Sequence, residues 1–287
     1  MKVLKKILKI LGYIILSAVL IIALALFIVS FKKPSNDKVW DSAVKVLPEI
    51  SFDKNKVTIK NLRDFSYSAK DKINKEEYYK DVFDTEKIKD VYFLVNPFDG
   101  HPSFAHTFFS FVFSDGKTVS VSIEARKEVG ESYSSIKGIL NDYELSILWG
   151  SEKDFLSRRA VYFDEDLYRY KLQVGSTTAK SLFMDMLDQT IKTESQPRFY
   201  NTITDNCTNL LADSANRVNP GSVPWTWARI FTGRSPEVLY DLKLIENDPK
   251  GFEYVEQQSD ISPLIRKIIS GNPGLTKFGF SNIPGIH

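Results

Sequence analysis

A thiol, an imidazole and a carboxylate are the parts of a nucleophilic acyl-transfer or hydrolysis site, and this sequence offers few ways to assemble them. It holds one cysteine and three histidines in 287 residues. Cys207 lies in Phe199-Tyr-Asn-Thr-Ile-Thr-Asp-Asn-Cys-Thr-Asn-Leu-Leu, where Asp205 and Asn206 suit a helix N-cap. From there Cys207, Leu210, Leu211, Ser214, Ala215 and Val218 share one face of a helix. A cysteine in a first helical turn meets unpaired N–H groups and the positive end of the dipole, which favour the thiolate. The same position suits a small residue that opens a buried helix face, and position alone leaves both readings open. A thiol nucleophile needs a base. His287 is the last residue, and His101 stands in the turn-like Phe-Asp-Gly-His-Pro, whereas His106 leads into Thr-Phe-Phe-Ser-Phe-Val-Phe, a strand pattern that would hold it rigidly.

The carboxylate follows from strand register. Residues 108–113 and 118–124 read as a hairpin. A two-residue loop, Asp115-Gly116, would set Phe109, Phe111 and Phe113 against Ser122, Ser120 and Thr118 and waste the apolar face. A three-residue loop, Ser114-Asp115-Gly116 with Gly116 left-handed, instead pairs Phe109 with Val121 and Phe111 with Val119. It also sets Glu124 opposite His106. The other face then carries His106, Ser110, Ser120, Ser122 and Glu124, a polar stripe expected to line a site. Glu124 would hold the imidazole in one tautomer and stabilise the imidazolium. A solvated strand-end carboxylate paired with Arg126 is the alternative.

The elements around these residues point to an α+β domain. Strand-like runs occur at 56–59, 91–95, 107–113, 118–124, 144–149 and 167–172, and helical periodicity at 178–192 and 207–218. Strands cluster before helices, which argues against repeating βαβ units. Residues 10–31 contain no charge and fit a helix spanning the apolar layer of a bilayer, about 30 Å thick. The run is longer than a signal peptide's apolar stretch and lacks a small-residue cleavage site, so an uncleaved anchor is expected. Lys2, Lys5, Lys6 and Lys9 keep the N-terminus inside. The chain then divides into a cytoplasmic stub and transmembrane anchor (1–33), a juxtamembrane linker with a helix near 39–47 (34–55), an extracytoplasmic thiol-catalytic domain (56–248) and a Gly- and Pro-rich C-terminal tail packed on or trailing the domain (249–287). Six of the 38 basic residues and none of the 36 acidic ones lie in 1–33, so the exported part is mildly acidic despite the net charge of +2. Nucleic acid is therefore excluded as a partner. A single cysteine there cannot close an internal disulfide, which marks a reactive thiol or an intermolecular bridge.

The ordered blocks Asn61-Leu-Arg-Asp-Phe-Ser-Tyr, Ala105-His-Thr-Phe-Phe-Ser-Phe, Val121-Ser-Ile-Glu-Ala-Arg-Lys-Glu, Tyr143-Glu-Leu and Phe199-Tyr-Asn-Thr-Ile-Thr-Asp-Asn-Cys-Thr resemble the periplasmic domain family named after Lnb, the bacterial lipoprotein N-acyltransferase. The resemblance covers about residues 56–245. It implies a permuted papain-like (NlpC/P60-like) fold in which an antiparallel sheet packs on helices and the histidine strand precedes the cysteine helix. It implies Cys207 as nucleophile, His106 as base and Glu124 as orienting acid, with Asn206, Arg126 and Tyr200 bracing or binding. Each of the last three is equally suited to satisfying buried backbone groups. The implied reaction is acyl transfer from a lipid ester through a Cys207 thioester, with a membrane lipid or lipoprotein as substrate and no metal or organic cofactor. The implied location is a bacterial inner membrane. The same residues would serve a tethered hydrolase of a lipid ester or cell-wall amide, and the fold alone would serve a binding domain. Trp225 and Trp227 are expected in the core, with lipid contact as the alternative.

Overall fold

The computed structural model describes residues 2–271; His287 and the rest of the tail beyond 271 lie outside them. The apolar N-terminal run forms α1 (Lys2–Val29), and nothing in the domain covers its membrane-length stretch. The domain is α+β, built on an eight-stranded sheet of order β1-β2-β9-β8-β7-β6-β10, with β5 also paired to β2. Its strands are β1 (Glu49–Asp53), β2 (Lys56–Arg63), β5 (Tyr78–Asp84), β6 (Ile88–Phe98), β7 (His101–Phe113), β8 (Thr118–Arg126), β9 (Glu144–Gly150) and β10 (Tyr168–Lys171). A small hairpin, β3 (Ser66–Ala69) with β4 (Lys72–Lys75), stands apart from it. Neighbours run antiparallel except β2 and β9.

Alternation along β7 and β8 sends the aromatic set to one face and the polar stripe to the other. The register is that of the three-residue loop: Phe109 faces Val121 and Phe111 faces Val119, with Gly116 at φ 83°. On the aromatic face lie α4 (Ser176–Ser195) and α5 (Cys207–Val218), whose Phe183, Met186, Leu210 and Leu211 complete the main core. Phe183 meets the rings of Phe111, Trp149 and Phe113 at 5.1, 5.3 and 5.7 Å.

The reverse face is closed by α3 (Glu152–Ser157), by a π-helical turn (Arg158–Tyr162) and by α8 (Ser262–Gly271), which follows α7 (Phe252–Ser259). Part of the expected tail is thus packed structure, with Ile265 and Ile269 buried. α3 also displaces the middle of the polar stripe from any site. Ser110 Oγ donates to Glu152 Oε1 at 2.8 Å, and Ser120 is wholly buried. Only the stripe's far end, at His106, Ser122 and Glu124, reaches the site.

Residues 34–55 are not a helical linker. They run extended, with one 3-10 turn at Ser42–Val44, and then form β1 against β2. Arg126 explains the missing helix: its guanidinium stacks 4.2 Å from the Trp40 ring and donates to the carbonyls of Val44 and Lys45. Those acceptors are thereby withdrawn from helical bonding, and Pro48 biases Leu47 towards extended backbone.

Candidate active site

The thiol, imidazole and carboxylate of the site are each set by a regular element. Asn206 caps α5 by accepting the Asn209 N–H at 2.8 Å, while its Nδ2 donates to the carbonyls of Thr202 and Arg229, both at 2.8 Å. The cap leaves Cys207 as the first helical residue, buried against β7. A hydroxyl contact of 2.9 Å between Thr107 and Thr208 fixes α5 to that strand.

From β7, the buried His106 directs Nε2 to within 2.7 Å of Ser122 Oγ and 3.3 Å of Glu124 Oε1. Ser122 itself donates to Glu124 Oε1 at 2.7 Å. A hydroxyl that gives its proton to a carboxylate accepts from the ring, so Nε2 carries the hydrogen and Nδ1 is left for Cys207. The order is therefore thiol, imidazole, hydroxyl, carboxylate. Glu124 is held from a second side by Arg159 Nη2 at 2.9 Å.

These contacts set the ionisation states. Burial raises the Cys207 pKa, but the hydrogen bond and positive charge of His106, with the Thr107 hydroxyl and N–H, outweigh it and bring the thiol to about 7. Burial and Arg159 both lower the His106 pKa; Glu124 and Cys207 more than reverse them, and it ends raised. Burial would raise the Glu124 pKa, yet His106 and Arg159 hold the carboxyl well below its ordinary range. The pair is thus poised as thiolate and imidazolium near neutral pH, with a permanent anion behind the ring.

Cys207, His106 and Glu124 open onto a cleft of about 450 Å³ whose walls include Phe104, Tyr133, Arg158, Phe163, Tyr200 and Ile230. The Tyr200 ring packs edge-on to Tyr133 at 6.2 Å. Burial and the neighbouring Cys207 charge push its phenol pKa well up, so it stays protonated. Of the residues read from the sequence, the structure brings Cys207, His106, Glu124, Asn206 and Tyr200 together. Arg126 is elsewhere, spent on Trp40 and the carbonyls of residues 44 and 45. Two participants carry no role in the sequence reading. Ser122 belongs to the polar stripe, and its i, i+2 relation to Glu124 is the signal that joins them. Arg159 sits on the π-helical turn, where neither periodicity nor register predicts its reach.

Residues 74–233, more than half of the chain, match the family described as the Lnb N-terminal periplasmic domain. Comparison with curated proteins and with solved structures returned no match.

Proposed function

This chain belongs to the Lnb N-terminal periplasmic domain family, and from that membership and the Cys207 site we propose that it is a membrane-tethered thiol acyltransferase acting on a lipid ester. The family and the apolar α1 together fit an extracytoplasmic domain of a single-pass membrane protein. The lysines ahead of the apolar run support a cytoplasmic N-terminus, and with it an inner-membrane location. The histidine strand ahead of the cysteine helix, packed on an antiparallel sheet, supports a permuted papain-like fold.

The observation that carries the reading is the seating of Cys207, first residue of α5, against the β7 strand of His106, whose ring is joined through Ser122 to Glu124. Its chemistry runs in two halves. In the first, the Cys207 thiolate attacks the ester carbonyl, and the oxyanion is met by the α5 N–H groups ahead of Asn209 and by the Tyr200 hydroxyl. The C–O bond then breaks, the departing alkoxide takes the proton of His106, and a Cys207 thioester remains. In the second, an acceptor amine attacks the thioester, His106 takes the amine proton, and the sulfur leaves as thiolate. Glu124 stays ionised throughout and steadies the imidazolium.

A lipid-tailed electrophile such as an acyl β-lactone tests nucleophile and substrate class at once. The expected result is one adduct per chain, on Cys207, lost in Cys207→Ala. Full function of the Cys207→Ala chain in cells would sink the enzyme reading. If a trapped acyl-thioester is released by water but never by an amine, hydrolysis replaces transfer.

A further inference from the structure

The mouth of the cleft is edged by apolar side chains that the fold leaves bare. The short helix α2 (Ser135–Ile139) exposes Ile136 at 70% and Ile139 at 42%, and the loop before α5 exposes Ile203 at 42%. These belong to one lip: Asn201 Nδ2 donates to the Ile139 carbonyl at 3.2 Å and Thr202 Oγ1 to the Ser135 carbonyl at 2.9 Å. Asn209 Nδ2 holds the Ile203 carbonyl at 2.7 Å, and Asn206 ties the same loop to the carbonyl of Arg229. That second segment carries Trp225 and Trp227, 61% and 66% exposed, with rings 5.5 Å apart. Core packing, expected for both, is therefore not their role. Ser135, Thr202 and Ile230, beside these bare residues, line the cleft itself.

What lies against this rim is indicated by the anchor. Lys32, just past α1, donates at 2.8 Å to the carbonyl of Leu140, the residue that caps α2, and pairs with Asp142. The membrane end of the chain is thus joined to the lip within one lysine side chain's reach. Single exposed isoleucines are ordinary on soluble surfaces, but clustered aliphatic residues with paired tryptophans, beside an anchor, have the composition of a lipid–water interface.

We propose that Ile136, Ile139, Ile203, Trp225 and Trp227 form a membrane-docking rim, seated at the headgroup and glycerol level of the leaflet from which α1 emerges. Docking turns the mouth of the cleft towards the bilayer surface. Granted the thiol reading above, an ester at the glycerol level would reach Cys207 while its acyl tails remain largely in the membrane. The docking itself does not depend on catalysis.

The full chain, reconstituted in phosphatidylethanolamine–phosphatidylglycerol vesicles with lipids brominated high on the acyl chain, provides the test. Trp40 and Trp149 are buried and α1 has no tryptophan, so lipid-accessible emission is assigned to Trp225 and Trp227. The expected result is strong quenching by bromolipid that is largely lost when Trp225→Phe and Trp227→Phe are combined. A combined Ile136→Gln, Ile139→Gln and Ile203→Gln chain should keep its anchor, lose at least half of that quenching, and react with a water-soluble thiol reagent at the parental rate. Emission quenched by aqueous iodide and indifferent to bromolipid would overturn the docking. The quenching readout needs no turnover, so its failure is separable from failure of the thiol reading.

Discussion

Ser122 is the residue that makes the site more than a cysteine near a histidine. Its hydroxyl bridges His106 and Glu124 and fixes which ring nitrogen holds the proton. With the thiol at about 7, alkylation of Cys207 by a soluble reagent should rise as pH climbs through about 7 and then level off. Glu124→Gln removes the anion that favours the imidazolium; the thiolate loses its partner, and the midpoint moves up, by about one pH unit, a tenfold change in thiolate well below it. Ser122→Ala should move it the same way by less. A midpoint unchanged in Glu124→Gln, read from the rate profile, would sever the carboxylate from the pair. The juxtaposition of His106 and Glu124 was legible because hairpin register follows from where the phenylalanines must face. Arg159 was not legible: its contact with Glu124 depends on how α3 and its π-helical turn lie over the sheet, a tertiary fact with no local signature.

Among the elements, β7 and β8 announced themselves through alternation, and α5 through its cap and periodicity. The stretch 39–47 misled, because apolar residues at helical spacing were there to meet Arg126 and the sheet edge, not to line a helix. The serine stripe misled in part for a related reason. Its middle lies beneath α3, which brings a buried ionic cluster in which Asp154 takes both a 2.8 Å and a 3.1 Å bond from Arg63, the Tyr67 hydroxyl at 2.8 Å and the Phe65 N–H at 2.9 Å. A carboxylate with that many donors holds α3 in place over the stripe. Asp154→Ala leaves a buried guanidinium unpaired and should cost about 3–5 kcal/mol, visible as a lowered midpoint in denaturant unfolding of the full chain. A loss under about 1 kcal/mol would mean that water or another acid replaces it.

For the whole molecule, the apolar α1 and the α+β domain are joined by a short, fastened segment: Lys32 is tied to α2's end, and Asn36 receives the Arg126 guanidinium at 2.9 Å. The proposed cytoplasmic N-terminus would place Cys207 on the far side of the membrane. A membrane-impermeant maleimide added to intact spheroplasts should therefore label it, and labelling that appears only after lysis would reverse the orientation. The placement of the site beside the anchor could not be read from the sequence, since residues 136, 203 and 227 converge only once α2 and the loops flanking α5 are in contact. One further consequence comes from the division of the site along the chain. The acid–base half is complete within a single hairpin, while the sulfur arrives with α5, after β9, β10 and α4 have been added. A chain threaded unfolded across a membrane would therefore carry a dormant thiol of ordinary reactivity. Activation would come only once α5 has packed on β7, so that the rate of thiol labelling doubles as a report on that step of folding after translocation.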